Sequence, residues 1–208
     1  ARLSETQRLG LRELLRRQKL FGQSLSVRKL AWQVSPLINA TGRMGQPSTA
    51  AQLLLEKGQE SCENLADSVV KLNNERRKIG EEAWKRVVPN AEKSLEELGG
   101  KMVLVMDGQI HRGITGIIAS RLAKYFGVPA LVVSIMEEKA IGSFRSSGEI
   151  PILHVLDQCA DLLITYGGHD FAAGFSMELN RMEDFKKRIS EIAPTFTQET
   201  VEEALEID

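Results

Sequence analysis

From Ser61 to about Val88 the chain keeps a helical stripe with no proline to interrupt it. Leu65, Val69, Leu72, Ile79, Ala83 and Trp84 recur at helical spacing, and Glu75, Arg76, Arg77, Lys78, Glu81 and Glu82 fill the other faces. A helix of that length spans about 40 Å at 1.5 Å per residue. A polar-faced helix so long is expected to connect two bodies rather than to lie within one. The grammar on its two sides differs accordingly.

The N-terminal side reads as helical. Leu11, Leu14 and Leu15 share a face, with Arg12, Arg16, Arg17 and Lys19 around it and Gly22 closing the segment. These cations suit a solvated helix face better than phosphate contacts. Ala31–Val34 is a short apolar run expected as a strand. Pro36 biases its neighbour toward an extended form, so Ser35–Gly45 is expected as a loop. Asn39 and Arg43 lie four residues apart in it, and the Arg43 guanidinium offers a planar fork suited to phosphate oxygens. The same arginine could equally tie the loop to an acidic helix. Pro47 then opens a helix that Gly58 closes. No cap or strand at the start resembles a natural domain beginning, which suggests a piece of a longer protein.

After the charged stretch from Pro89 to Gly99-Gly100 the pattern alternates strand and helix, as in an α/β layer architecture. Met102–Met106 is a buried-type strand. Asp107-Gly108-Gln109-Ile110 turns from it into a helix opening near His111, with Gly113 and Gly116. Strand, glycine-bearing turn and helix N-terminus together form a generic anion site. The spacing Gly113-x-x-Gly116 is not a dinucleotide fingerprint. Ala130–Ile135 is a second buried strand. In Gly142-Ser143-Phe144-Arg145-Ser146-Ser147, alternation puts Ser143, Arg145 and Ser147 on one face and Phe144 and Ser146 on the other. One guanidinium flanked by hydroxyls is a compact phosphate clamp. Helices are expected over 151–163 and 181–193, with His154 as a structural or surface residue.

Tyr166-Gly167-Gly168-His169 is expected as a turn without Cβ atoms, holding His169 at its lip, with little side-chain volume behind it at Ala172, Ala173 and Gly174. An extended anionic substrate would need such a site. The same residues also suit a tight turn before a strand, with His169 merely solvated.

Gly167-Gly168-His169 with Ala172-Ala173-Gly174 resembles the signature of the DHH-associated domain, the second half of DHH-family phosphoesterases. Other segments, in order, resemble the RecJ-type single-strand-specific exonucleases of that family. They are the Asn39–Arg43 loop, the helix text Leu72–Arg77, the His111–Arg121 segment (where Ile110 stands in place of a tryptophan) and Gly142–Ser146. The resemblance runs from about Gly10 to Asp208. It implies that 1–60 ends a DHH catalytic region and 61–88 is the connector helix. Residues 89–198 would be the DHH-associated substrate-binding domain, and 199–208 would begin a linker to a further domain. The fold class is therefore α/β, with a helical N-terminal part, a long connector helix and a small mixed-sheet domain flanked by helices.

The implied full protein removes nucleotides from single-stranded DNA, 5′→3′, in recombination and repair, alongside a helicase and a single-strand-binding protein. In it His169 would meet the scissile phosphate. Arg145, Ser143, Ser146, His111, Gly167 and Gly168 would hold neighbouring substrate, and Asn39 with Arg43 would grip the strand. Such enzymes use two divalent ions, usually manganese, held by side chains that include an Asp-His-His triplet. None occurs here, and Asp107, Asp161 and Asp170 lack metal-ligand spacing. No metal is expected in this chain, which alone should be inactive. A phosphodiesterase of short oligonucleotides or cyclic dinucleotides, or a non-catalytic nucleic-acid-binding module, would share some of these motifs.

The net charge of −1 excludes a global basic field, so any nucleic acid must meet a local groove. Cys62 and Cys159 have no metal-ligand spacing and read as thiols of a reducing compartment. No apolar run is long enough for a membrane span. A cytoplasmic protein is expected.

Overall fold

The computed structural model describes residues 3–148 and 150–196. The chain divides into two compact units, Ala1–Glu82 and Ala83–Asp208.

The first unit is helical: α1 (Leu9–Arg17), α2 (Val27–Lys29), α3 (Ser35–Arg43), α4 (Pro47–Leu55) and the first turns of α5 (Gln59–Glu97). Two expectations fail here. Ala31–Val34 is not a strand but part of a π-helical turn, Leu30–Val34, that links α2 to α3. Only Val34 of that turn is buried, whereas Trp32 is 76% exposed, so the run lacks a strand's buried side. Ser35–Gly45 is not a loop either. Pro36 sits in the first turn of α3, where a helix has no use for the missing N–H.

Leu14, Leu37, Leu53, Cys62, Ala66 and Val69 form the core between these helices. Gly10 sets the approach of α1 to α4, since a Cβ there would lie 1.8 Å from the Leu53 carbonyl oxygen. Beside this core the Glu13 side chain is only 5% exposed and is bonded on several sides. Arg16 and Arg17 reach it at 3.0 Å each, and Gln59 Nε2 donates at 3.1 Å. Arg17 also donates to Asp67 Oδ1 at 2.7 Å and to the Glu63 carbonyl at 2.9 Å. Arg12 and Arg17 therefore fasten α1 to α5 rather than forming a solvated face, whereas Arg16 pairs with Glu13 on its own helix and is 48% exposed.

Helix α5 begins at Gln59 and continues through Pro89 to Glu97, beyond the expected end near Val88. An interior proline removes one hydrogen bond and crowds the preceding turn, at a cost of about 3 kcal/mol. Burial offsets that cost: Val87, Ala91, Ser94 and Leu98 are buried in the second unit, and Ser94 Oγ accepts the Leu104 N–H at 2.9 Å.

The second unit is a mixed five-stranded sheet flanked by helices. Its strands are β1 (Val103–Asp107), β2 (Ala130–Ile135), β3 (Lys139–Arg145), β4 (Thr165–His169) and β5 (Ala172–Glu178), in the order β1-β2-β3-β5-β4. β1 and β2 are parallel, joined through α6 (Thr115–Phe126), and all other pairs are antiparallel. One face carries Leu104, Leu131, Phe144, Ala173 and Phe175 into a core with Val155 and Leu156 of α7 (Leu153–Asp157) and Phe185 and Ile189 of α8 (Met182–Ile192). The expected helix over 151–163 is thus only α7 plus a 3-10 turn at Ala160–Leu162. On the opposite face α6 packs over β2 and β3. The half-buried and exposed alternate residues of β5 and β4 continue that face beyond it.

Glu13 supplies a pH test. Burial pushes its carboxyl up, but the Gln59 bond and the charges of Arg16 and Arg17 outweigh burial and hold it below its usual value. A group with a lowered folded pKa contributes stability above its unfolded pKa and loses it as pH falls through the folded value. Thermal unfolding should therefore show stability falling as pH drops below about 4. Glu13→Gln should be less stable at neutral pH and flatter over that range. An equally steep acid limb in the variant would remove Glu13 from the explanation.

Candidate functional site

The register of the three antiparallel strands assembles the site. Arg145 pairs with Ala172, which pairs with His169 on its other side. The next row toward the middle of the sheet is Ser143, Gly174, Gly167. Cross-strand partners share a face, so these six residues lie on the side of the sheet that carries α6. Two strand spacings separate Arg145 from His169, about 10 Å between backbones. The floor between them is Ala172, with two glycines beside it.

The N-terminus of α6 closes one side of this floor. A Cβ on Gly116 would lie 2.8 Å from Arg145 Nη2 and 3.4 Å from Ser143 Oγ. The Ser143 and Thr115 hydroxyls stand 3.4 Å apart. Arg145 is braced by its own sheet, with Nη1 donating to the carbonyls of Phe144 (2.8 Å) and Ala173 (3.1 Å). The first turn of α6, entered from a 3-10 turn at Arg112–Ile114, thus lies beside a fixed guanidinium and two hydroxyls. Just before it, His111 Nδ1 accepts the Gly113 N–H at 3.1 Å, which leaves Nε2 as the ring's outward donor. Ile110 is buried in the core, and its carbonyl accepts from Ser134 Oγ at 2.6 Å. It offers no stacking surface.

The expected turn at Gly167-Gly168 is a strand. Both belong to β4, His169 is its last residue, and the reversal is made by Asp170-Phe171. Two-residue hairpin loops favour turns with positive φ, yet Lys19 is the one described non-glycine residue with positive φ. Gly168, at φ +151°, supplies the freedom that the turn lacks. A Cβ there would lie 2.3 Å from the Ala172 carbonyl oxygen. Gly167 and Gly174 are different. A Cβ on Gly167 would meet nothing within 4 Å, and one on Gly174 only the Gly142 oxygen at 3.6 Å, and neither has positive φ. Neither packing nor backbone geometry requires glycine at these two places, although glycine weakens a strand. What they provide is open space above the floor.

Neighbouring polar residues are tied into the fold. Ser146 lies beyond β3, its hydroxyl bonds the Ile150 carbonyl and its N–H bonds the Phe171 carbonyl at 3.0 Å, so it fastens the loop to the hairpin. Ser147, also beyond the strand, does not continue the Ser143–Arg145 face. Asp107 pairs with Arg86 at 2.7 Å and accepts the Gln109 N–H, closing its turn.

In the helical unit, Asn39 and Arg43 stand one turn apart on α3 and are exposed. Sequence reasoning passed over Arg76 of α5. Burial, and then the like charges of Arg43 and Arg77, pull its pKa below the usual guanidinium value. Arg76 Nη2 donates to Asn73 Oδ1 at 3.0 Å, and its buried Nε has no hydrogen-bond partner among the described residues. Cations that crowd one another favour a bound anion. The signal available in the sequence was the spacing of Asn73 and Arg76 on one helical face.

Residues 99–194 match the DHHA1 domain. The whole chain aligns with the single-stranded-DNA-specific exonuclease RecJ of Bacillus subtilis, 34% identical over 213 residues, and covers 26% of that protein. The fold matches RecJ of Thermus thermophilus in complex with Mn2+ at a TM-score of 0.82 and 30% identity, over 94% of this chain and 28% of that one. The same protein with Mg2+ gives a TM-score of 0.80 at 29% identity, over 94% and 30%.

The chain belongs to the RecJ family. It spans between about a quarter and a third of the length of the curated RecJ proteins it matches. The solved RecJ structures hold a divalent ion, but among the described residues here no three His, Cys, Asp or Glu side chains come together to hold one. These residues do not fit a metal centre. Among the described residues no helix is long and apolar enough to cross a membrane.

The two kinds of glycine predict opposite outcomes. Gly168→Ala should cost at least about 1–3 kcal/mol from its backbone conformation alone, with further loss from the overlap at Ala172. Gly167→Ala should leave stability within about 0.5 kcal/mol. Urea denaturation of both variants checks this, and equal losses would contradict the geometry.

Proposed function

We propose that this chain is the substrate-holding part of a RecJ-type exonuclease that hydrolyses phosphodiester bonds of single-stranded DNA, 5′→3′, in recombination and repair. The observation that carries the proposal is the floor at Gly167 and Gly174, which is bare without any structural need and is flanked by Arg145, Ser143 and His169. A backbone phosphate can approach such a floor closely. The braced Arg145 guanidinium, the Ser143 hydroxyl and the N–H groups at the start of α6 would bind one phosphate. His169 would donate to an oxygen of the scissile phosphate, stabilising charge as it develops. His111 Nε2 supplies a further donor beside the helix N-terminus. Asn39, Arg43 and Arg76 form a second anion-binding cluster on the helical unit.

The metal chemistry belongs to the remainder of the protein, with manganese as the ion. A cytoplasmic enzyme working beside a helicase and a single-strand-binding protein fits a substrate that exists only after strands are separated. The free, buried thiols are consistent with a reducing compartment.

In the complete natural protein, His169→Ala should lower kcat about 100-fold, the scale of one lost oxyanion donor, with little change in KM. Arg145→Ala should chiefly raise KM. Unchanged kinetics in both would overturn the proposal. The present chain alone should bind single-stranded DNA without manganese-dependent cleavage. Its affinity should fall with salt at a log–log slope of about −0.7 per phosphate neutralised. Gly167→Ala should weaken that binding while the fold survives.

A further inference from the structure

We infer that Gly116 is a positioning residue for Arg145, its missing Cβ leaving the space in which the guanidinium lies against α6. The inference rests on the reading just given and says what aims the phosphate clamp. Gly116 is the second residue of α6, which packs over β3. Outside its own helix, the three heavy atoms nearest to a Cβ there would be Arg145 Nη2 at 2.8 Å, Ser143 Oγ at 3.4 Å and Arg145 Cζ at 3.6 Å. All three belong to the two side chains assigned to phosphate. The other closely approached glycines differ. Gly10 and Gly168 face backbone carbonyls, and Gly142 faces the buried Phe175 ring, so their bareness serves packing. At Gly116 the nearest neighbours include neither backbone nor core.

The backbone does not ask for glycine either. Gly116 is not among the glycines with positive φ, and alanine is the better helix former. The helix would therefore accept an alanine, and the clash would fall on the guanidinium, the far end of a side chain that can shift. That shift has a cost to the site. Arg145 Nη1 donates to the carbonyls of Phe144 at 2.8 Å and Ala173 at 3.1 Å. A guanidinium is a rigid plane, so displacing Nη2 tilts Nη1 from those carbonyls and turns the whole fork of donors. A fork that matches phosphate oxygens two at a time loses that match when it is turned. Gly116 thus gives up some helix stability and keeps the cation aimed.

The test follows binding of a labelled thymidine oligonucleotide to the 208-residue chain by fluorescence anisotropy at low salt, with thermal unfolding of each variant. Gly116→Ala should keep or raise Tm, yet weaken binding about fivefold, within the range of one lost hydrogen bond. Arg145→Ala should weaken binding about tenfold or more, the scale of a bond to a charged group. In the Arg145→Ala background, Gly116→Ala should cost nothing further, because the two changes remove one and the same interaction. A merely structural glycine would not show that dependence on Arg145. Full affinity in Gly116→Ala, a lowered Tm, or the same loss with and without Arg145 would each overturn the positioning role while the phosphate site stands. Full affinity in Arg145→Ala, or no binding by the natural chain, overturns the substrate-holding reading, and this one with it.

Discussion

Everything at the candidate site depends on the register of β5 between β3 and β4. A shift of one residue would send Ala173 and Phe175 out of the core and turn Ser143, Arg145 or His169 to the wrong face. The register is pinned from the core side, where Phe144 meets Ala173 and Phe175 lies over the backbone of Gly142. A Cβ at Gly142 would lie 2.0 Å from the Phe175 ring. Apolar packing on one face thus fixes the position of polar groups on the other. Arg145 directs its Nη1 donors to carbonyls of the same strands.

The helical unit handles charge in the opposite way. Its buried carboxylate, Glu13, is surrounded by donors from α1 and α5, and losing some of them would strand a charge away from water. On the same long helix, Arg76 lies among like charges, and its buried Nε has no hydrogen-bond partner among the described residues. The first cluster brings opposite charges together, whereas the second brings like charges together.

Much of the sheet domain was legible because its signals are periodic. The buried runs around Val103–Met106 and Ala130–Ile135 and the alternation of Ser143 with Arg145 follow from side-chain direction in strands. The alternation stopped being informative at Ser146, which leaves the strand and serves the loop. Gly167-Gly168 misled because glycine is read as turn punctuation, and nothing local announces that a partner carbonyl lies where a Cβ would be. Pro36 and Pro89 misled in a related way. The first costs a helix nothing at its opening turn, and the second is carried by burial contributed from residues far along the chain. Ala31–Val34 is too short for periodicity to choose between helix and strand. Arg76 went unnoticed because one more arginine on a charged helix has no distinguishing local context. The tail at 199–208 lies outside the described residues.

The bare floor between Arg145 and His169 has one more consequence. A surface without side chains presents no donors or acceptors that could be matched against base edges, so it carries no code. Any grip on a polymer would come from the groups at its margins, Arg145, Ser143 and His169. A polymer drawn across it would encounter nearly the same free energy at every step, whatever its composition. Uniformity of that kind lets a binding surface travel the length of a strand without stalling at preferred words.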